Sequence, residues 1–249
     1  VLIFLMAGWG AFGKMPDFEE LENPETNLAT EIFSSDGETL GKYYSENRTP
    51  IKYDDLPDHL VEALVATEDE RFYKHAGIDA KGTIRAAVYL GTRGGASTIT
   101  QQLSKLLFTE QVSNNPFARI LQKVKEWIIA TRLERQYTKE EIITMYFNKY
   151  DFVYQAVGIR SASKIYFGKE AKDLNIEESA VLVAMLKNAA LYNPVRRPEL
   201  VKQRRNQVFV QMNKNGYLSE QEKDSLQKLP LNLDFSPEGH DEGMATYFR

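Results

Sequence analysis

The stretch Leu60-Val-Glu-Ala-Leu64-Val-Ala-Thr67-Glu68-Asp69-Glu70-Arg-Phe72-Tyr-Lys-His75-Ala-Gly77 begins as an amphipathic helix and ends less regularly. Leu60, Leu64 and Thr67 recur at helical spacing, so one face of the segment turns toward a core. Glu68 falls four residues after Leu64 and eight after Leu60, on that same stripe. A carboxylate there faces inward or into a cleft. At a helix end it also sits at the unfavourable pole of the helix dipole. A local rule broken in this way marks a candidate functional site, and the group is placed for general acid or base work. The plainer alternative is a solvated acidic helix end, Glu68-Asp69-Glu70.

Outward from this segment, the pattern is helical from Leu56 nearly to the end. Ser97 to Phe108 reads as a helix entered after Gly94-Gly95, and Pro116 to Arg135 as a long amphipathic one. Thr138-x-x-Glu141, Asn175-x-x-Glu178 and Ser219-x-x-Glu222 have the form of capping boxes that open helices. Upstream, Thr30 to Ser45 reads as a β-hairpin with its turn at Asp36-Gly37. The expected fold is mainly α with one small β-hairpin. Val1 to Phe12 is apolar throughout but shorter than the roughly 20 residues of a spanning helix. It is read as the outer half of a truncated N-terminal transmembrane helix, with Trp9 and Phe12 near an aromatic interface. The expected organisation is an anchor over 1–14, a stalk and β-hairpin over 15–55, the main domain over 56–228 and a linker over 229–249.

The 249 residues carry 31 Lys+Arg against 35 Asp+Glu, a net charge of −4. A protein that covers nucleic-acid phosphates is more basic, so no nucleic-acid partner is expected. The absence of cysteine excludes a disulfide scaffold, Cys-ligated zinc, an iron–sulfur cluster and a Cys nucleophile. His59, His75 and His240 are the only histidines, too few to spend on a three-His metal site.

Further strings carry chemistry. Gly95-Ala-Ser97-Thr98-Ile-Thr-Gln101-Gln102 runs from a Gly-hinged loop into a helix start dense in hydroxyls and amides, and Lys105 shares a face with Gln102. Such a start offers backbone N–H groups and a positive dipole to an anion, and a diphosphate suits it. In Gln122-Lys123-x-x-Glu126 the last two meet on one helix face, with Arg119 one turn earlier. Tyr146-Phe147-Asn148 is followed by Gly158, Ala162 and Tyr166-Phe167-Gly168-Lys169. A last block runs from Glu178-Ser-Ala through Leu186 to Tyr192-Asn193-Pro194, Pro198 and Arg204. Packing suits both of these blocks, with Glu178 as a cap and Asn193-Pro194 as a helix stop. Ser161-x-x-Lys164 and Ser113-Asn-Asn115 suggest a serine acyl-transfer site. Lys-Thr-Gly is absent and the order is reversed, which argues against it.

Taken in order, Glu68-Asp69-x-x-Phe72-x-x-His75-x-Gly77 and the four later strings resemble the five signatures of the peptidoglycan glycosyltransferases, glycosyltransferase family 51. This is the polymerase module of class A penicillin-binding proteins. The resemblance covers Leu56 to Met212. Gln122 stands where the family has arginine, a place Arg119 could fill, and Asp151 to Gln155 lacks the glycines common there.

The resemblance implies a lysozyme-like glycosyltransferase fold with a large lobe and a smaller membrane-side lobe. It implies a polymerase that moves a lipid-linked glycan chain onto the 4-hydroxyl of lipid II, with inversion and release of undecaprenyl diphosphate. Glu68 would be the general base. Glu126 would act at the leaving group, through Lys105 and Lys123 or as ligand of a divalent metal, Mg²⁺ or Mn²⁺; no organic cofactor is implied. Substrate contacts are expected at Asp69, Phe72, His75, Ser97, Thr98, Gln101, Gln102, Lys105, Arg119, Lys123 and Asn148. The implied partners are lipid II, the lipid-linked strand, the bilayer and a cell-wall synthesis complex. The implied location is the bacterial cytoplasmic membrane with the catalytic domain outside. Phe108, Val112 and Phe117 are candidates to dip into the membrane interface. A transpeptidase domain would follow the linker. The rival readings are a lytic transglycosylase or muramidase, and a non-catalytic cell-wall scaffold.

Overall fold

The structure, a computed structural model, describes residues 30–33, 39–43, 50–88, 97–108 and 115–237. Two antiparallel strands, β1 (Thr30–Phe33) and β2 (Thr39–Tyr43), pair Thr30 with Tyr43, and the register shifts between Ile32 and Phe33. Nine α-helices follow among the described residues: α1 (Asp58–Glu68), α2 (Ala80–Val88), α3 (Ile99–Phe108), α4 (Pro116–Gln136), α5 (Lys139–Lys149), α6 (Ile159–Phe167), α7 (Ile176–Met185), α8 (Pro198–Lys214) and α9 (Glu220–Leu226). The mainly helical fold with one small hairpin is thus the one expected. The apolar run over 1–14 and the turn at Asp36-Gly37 lie outside the described residues, as does Val112. No helix among the described residues is long and apolar enough to cross a membrane.

The chain divides into two compact units. One is built from Glu68–Lys149, the other from Thr26–Thr67 and from Tyr150 onward. In the first, α3 packs on α4 and α5. Ile99 and Leu103 on α3, Val124, Ile128 and Leu133 on α4, and Ile142 and Phe147 on α5 are all buried. Each fully buried side chain of this size contributes about 1.5–3 kcal/mol. Thr138 and Glu141 form the expected capping box at the start of α5, with bonds of 2.7 and 3.2 Å between side chain and backbone. The turn ending at Gly77 lies against α4. Gly77 has φ +85°, and a Cβ there would stand 2.8 Å from the carbonyl carbon and oxygen of Ala130. Only glycine satisfies both the backbone angle and the close approach.

In the second unit, α1 buries Leu60, Val61, Ala63 and Leu64 through Ala66. Helix α7 is buried from Glu178 to Met185 and packs on α8. Its capping box is formed as expected, Glu178 N–H to Asn175 Oδ1 and Asn175 N–H to Glu178 Oε2, both 2.9 Å. Ser219 and Glu222 repeat the device at α9. Asn193 is not a helix stop: α7 has ended at Met185, and the Asn193 carboxamide accepts the Val195 and Arg196 N–H groups at 3.0 Å, closing a loop turn. The linker expected from 229 is docked at its start. Arg205, fully buried on α8, donates to the carbonyls of Leu229 (2.8 Å) and Pro230 (2.9 Å). The Asp234 and Ser236 N–H groups bond the carbonyls of Tyr166 and Ile165. The loop without glycines holds Val153, Tyr154 and Gln155 at φ 69°, 52° and 62°, three consecutive left-handed residues. Asp151 Oδ1 accepts the Val153 N–H at 2.8 Å, and the Tyr166 hydroxyl donates to the Phe152 carbonyl at 2.7 Å. Ser161 is buried on α6 while Lys164 pairs with Glu170 at 2.9 Å, so the Ser-x-x-Lys string forms no acyl-transfer site.

Two stability predictions follow from these contacts. Arg205→Met, which keeps the bulk but strands buried carbonyls, is expected to lower unfolding free energy by about 3 kcal/mol in a denaturant titration. The second concerns Asp79. Burial alone would raise its pKa, but the Arg71 hydrogen bond, the Gly82 N–H and the Arg71 charge outweigh it and hold it below 3.8. The carboxylate therefore adds stability above that pH, and the gain is lost as pH falls through the lower folded value. Melting temperatures of the parent should fall more steeply below about pH 4 than those of Asp79→Asn.

Candidate functional site

Helix α1 ends at Glu68, and the chain turns at once through a 3₁₀ segment, Phe72–Lys74. Asp69 makes this turn possible. Its carboxylate, buried, accepts the backbone N–H of Ile99 at 3.1 Å and faces His75 Nε2 at 3.1 Å from both oxygens. The Ile99 N–H is one of the donors that the start of α3 leaves without a helical partner, so a carboxylate is favoured there. The turn is bound to α3 a second time, at Gly77. Its carbonyl accepts Thr98 Oγ1 at 2.8 Å and Gln101 Nε2 at 3.1 Å.

These bonds bring Glu68 beside the first turn of α3. Gln102 Nε2 donates to Glu68 Oε2 at 3.0 Å, and Gln102 Oε1 accepts the Tyr146 hydroxyl at 2.9 Å. Glu68 is half-buried. Just before α3, Ser97 Oγ accepts from Lys123 Nζ at 3.0 Å, and the same ammonium bonds Glu126 Oε2 at 2.7 Å. The Glu126 side chain is nearly covered while Lys123 remains accessible. Lys105 is exposed on α3 three residues beyond Gln102, and Arg119 is exposed in the first turn of α4. Asn148 is half-buried near the end of α5.

The geometry therefore gathers Glu68, Gln102, Ser97, Lys123 and Glu126 around the first turn of α3. Four other residues expected to touch substrate lie inside the protein. Phe72 is fully buried, with the Lys139 ammonium 4.2 Å from its ring centroid. Thr98 and Gln101 are 1% exposed, and the Thr98 hydroxyl and Gln101 Nε2 donate to the Gly77 carbonyl. Asp69 is spent on His75 and Ile99. All four are buried, and the bonds and ring contact seen for them here are within the protein. The His75 side chain is likewise largely covered against Asp69.

Sequence reasoning missed one ion pair whose carboxylate is covered. Glu134, near the end of α4, bonds Lys139 Nζ at 2.7 Å and accepts the Thr100 hydroxyl. Lys139 also donates to the His75 carbonyl at 2.7 Å. The signal was an ionic pair five residues apart across a helix junction, easily taken for solvated charge. For a divalent cation the donor set is thin. Among the described residues no three His, Asp or Glu side chains gather as a metal cage, and Glu126 is already bonded to Lys123. An ion here would need the oxygens of a bound ligand. Because Glu134 is a covered acceptor for both Lys139 and Thr100, Glu134→Ala should cost about 1–3 kcal/mol of unfolding free energy in a denaturant titration.

The pattern of the transglycosylase family matches residues 36–213. Penicillin-binding protein 1F of Bacillus subtilis (strain 168) is 40% identical over 212 residues, 83% of this chain and 29% of that protein. Penicillin-binding protein 1A of Escherichia coli (strain K12) is 35% identical over 226 residues, 89% of this chain and 26% of that protein. Penicillin-binding protein 1A of Aquifex aeolicus (strain VF5) is 34% identical over 237 residues, 94% of this chain and 32% of that protein. The chain thus spans between a quarter and a third of the length of these relatives. Together these matches show that the chain belongs to the transglycosylase family and carries the glycosyltransferase module of class A penicillin-binding proteins.

Proposed function

We propose that this module polymerises peptidoglycan glycan strands, transferring a lipid-linked strand to lipid II. The observation that carries the reading is the separate setting of two carboxylates. Glu68 faces a neutral amide donor, whereas Glu126 carries its own ammonium partner. Inverting sugar transfer asks for that division: one group to take a proton, another to manage charge at the leaving group.

In the proposed step the 4-hydroxyl oxygen of lipid II attacks the anomeric carbon of the strand. The C–O bond to the diphosphate breaks as the new β-1,4 bond forms, and the hydroxyl proton passes to Glu68. Undecaprenyl diphosphate leaves with the electron pair. Its charge falls to Lys123, held in place by Glu126 and Ser97, and to the exposed Lys105 and Arg119, with the first turn of α3 nearby. Gln122 leaves one family cation absent, and Arg119 is the proposed substitute. A divalent ion held by Glu126 and the phosphates would add to charge neutralisation when bound. The bilayer is the proposed setting, with the module on its outer side and in a cell-wall synthesis complex, because both substrates carry lipid tails.

The test is polymerisation of labelled lipid II in detergent with Mg²⁺. The parent should make long strands, and Glu68→Gln should fall by about 10²–10⁴-fold while keeping its melting temperature. Cleavage of purified peptidoglycan by a parent that makes no strands would identify a lytic enzyme instead. Neither reaction from a folded parent would leave a scaffold.

A further inference from the structure

Tyr146 looks like packing. It is fully buried on α5, edge-on to the neighbouring Phe147 ring. Its hydroxyl nevertheless has a directed task. It donates to Gln102 Oε1 at 2.9 Å. A carboxamide whose oxygen is engaged on one side must present its NH₂ group to the other. That NH₂ meets Glu68 Oε2 at 3.0 Å. Turned over, the amide would set its carbonyl oxygen against a carboxylate, two acceptors with no proton between them. The carboxylate thus selects the amide orientation, and the phenol, bonded to the remaining Oε1, pins the amide that holds Glu68.

We propose that Tyr146 is a positioning residue for Glu68, acting through the Gln102 carboxamide to hold the carboxylate in one orientation. The proposal rests on the reading of Glu68 as general base. Three elements share the chain of bonds: α5 supplies the phenol, α3 the amide and the end of α1 the carboxylate. Tyr146 is 0% exposed, so it touches no substrate and any effect on turnover passes through its neighbours. A base whose amide donor is itself pinned keeps its carboxylate aimed, and misaiming by a fraction of an ångström is costly to turnover.

Coupling between the two residues is the decisive measurement. Tyr146→Phe, Gln102→Met and the double variant are compared with the parent in lipid II polymerisation, with melting temperatures alongside. Tyr146→Phe removes one oxygen and should melt within a few degrees of the parent. It should lower kcat about tenfold while KM for lipid II changes by less than about twofold. In the Gln102→Met background the same substitution should change kcat by less than about twofold, because the amide it pins is gone. An equal loss in both backgrounds would overturn the proposal and return Tyr146 to packing, as would full activity of Tyr146→Phe. If Glu68→Gln itself polymerises lipid II, the base assignment fails and the relay has nothing to serve. A dead Glu68→Gln beside an unimpaired Tyr146→Phe sinks the relay alone. Should Tyr146→Phe fail to fold, the relay still requires Gln102→Met to lower kcat; an undiminished kcat there overturns it.

Discussion

The Asp69 carboxylate is the joint on which this site turns. Next in sequence to Glu68, it accepts the first N–H of α3 and faces His75. A buried carboxylate is costly unless its oxygens are matched by donors. Here the donors come from a helix start, where unpaired N–H groups are themselves in need of an acceptor. Each cost cancels the other, and the cancellation fixes where α3 begins relative to the Glu68–Gly77 turn. The neighbouring contacts reinforce it. Gly77 offers its carbonyl to Thr98 and Gln101, and Lys139 reaches from the Glu134 pair to the His75 carbonyl. Glu68 and Gln102 are neighbours because these buried groups leave them no other arrangement.

This explains why the signature strings mix two kinds of residue. In the first, Glu68 stands half-buried while Asp69 and Phe72 are inside. In the second, Ser97 and Gln102 are accessible while Thr98 and Gln101 are not. Spacing alone separates them poorly. A polar residue within a motif can serve a ligand or serve the fold, and only its partners tell which. The buried Thr98 hydroxyl gives its one proton to a backbone carbonyl 2.8 Å away and so has no donor left for a phosphate.

Local rules carried most of the secondary structure. Three capping boxes read from four-residue spacings are formed, and the stripe through Leu60 and Leu64 lies buried. These depend on contacts within one or two turns, which sequence records directly. What sequence did not record depends on distant partners. The docking of the segment after 229 needs Arg205, more than twenty residues earlier, whose charge reads as surface until its carbonyl partners are known. Asn193 shows the same limit: beside a proline it reads as a helix stop, but its carboxamide closes a turn of its own. The Glu134–Lys139 pair was missed because a charge pair reads as solvated until the helices around it are placed.

The loop at Val153, Tyr154 and Gln155 accepts three left-handed residues where glycine would sit without strain. Each L side chain there opposes folding in the native state. Yet the same side chains narrow the disordered ensemble, which glycine would widen. The loop thus exchanges enthalpy in one state for entropy in the other, and its stability should depend on temperature differently from that of a glycine-rich loop of the same shape. Heat penalises a segment with more freedom to gain, so this build favours shape retention on warming over ease of closure in the cold.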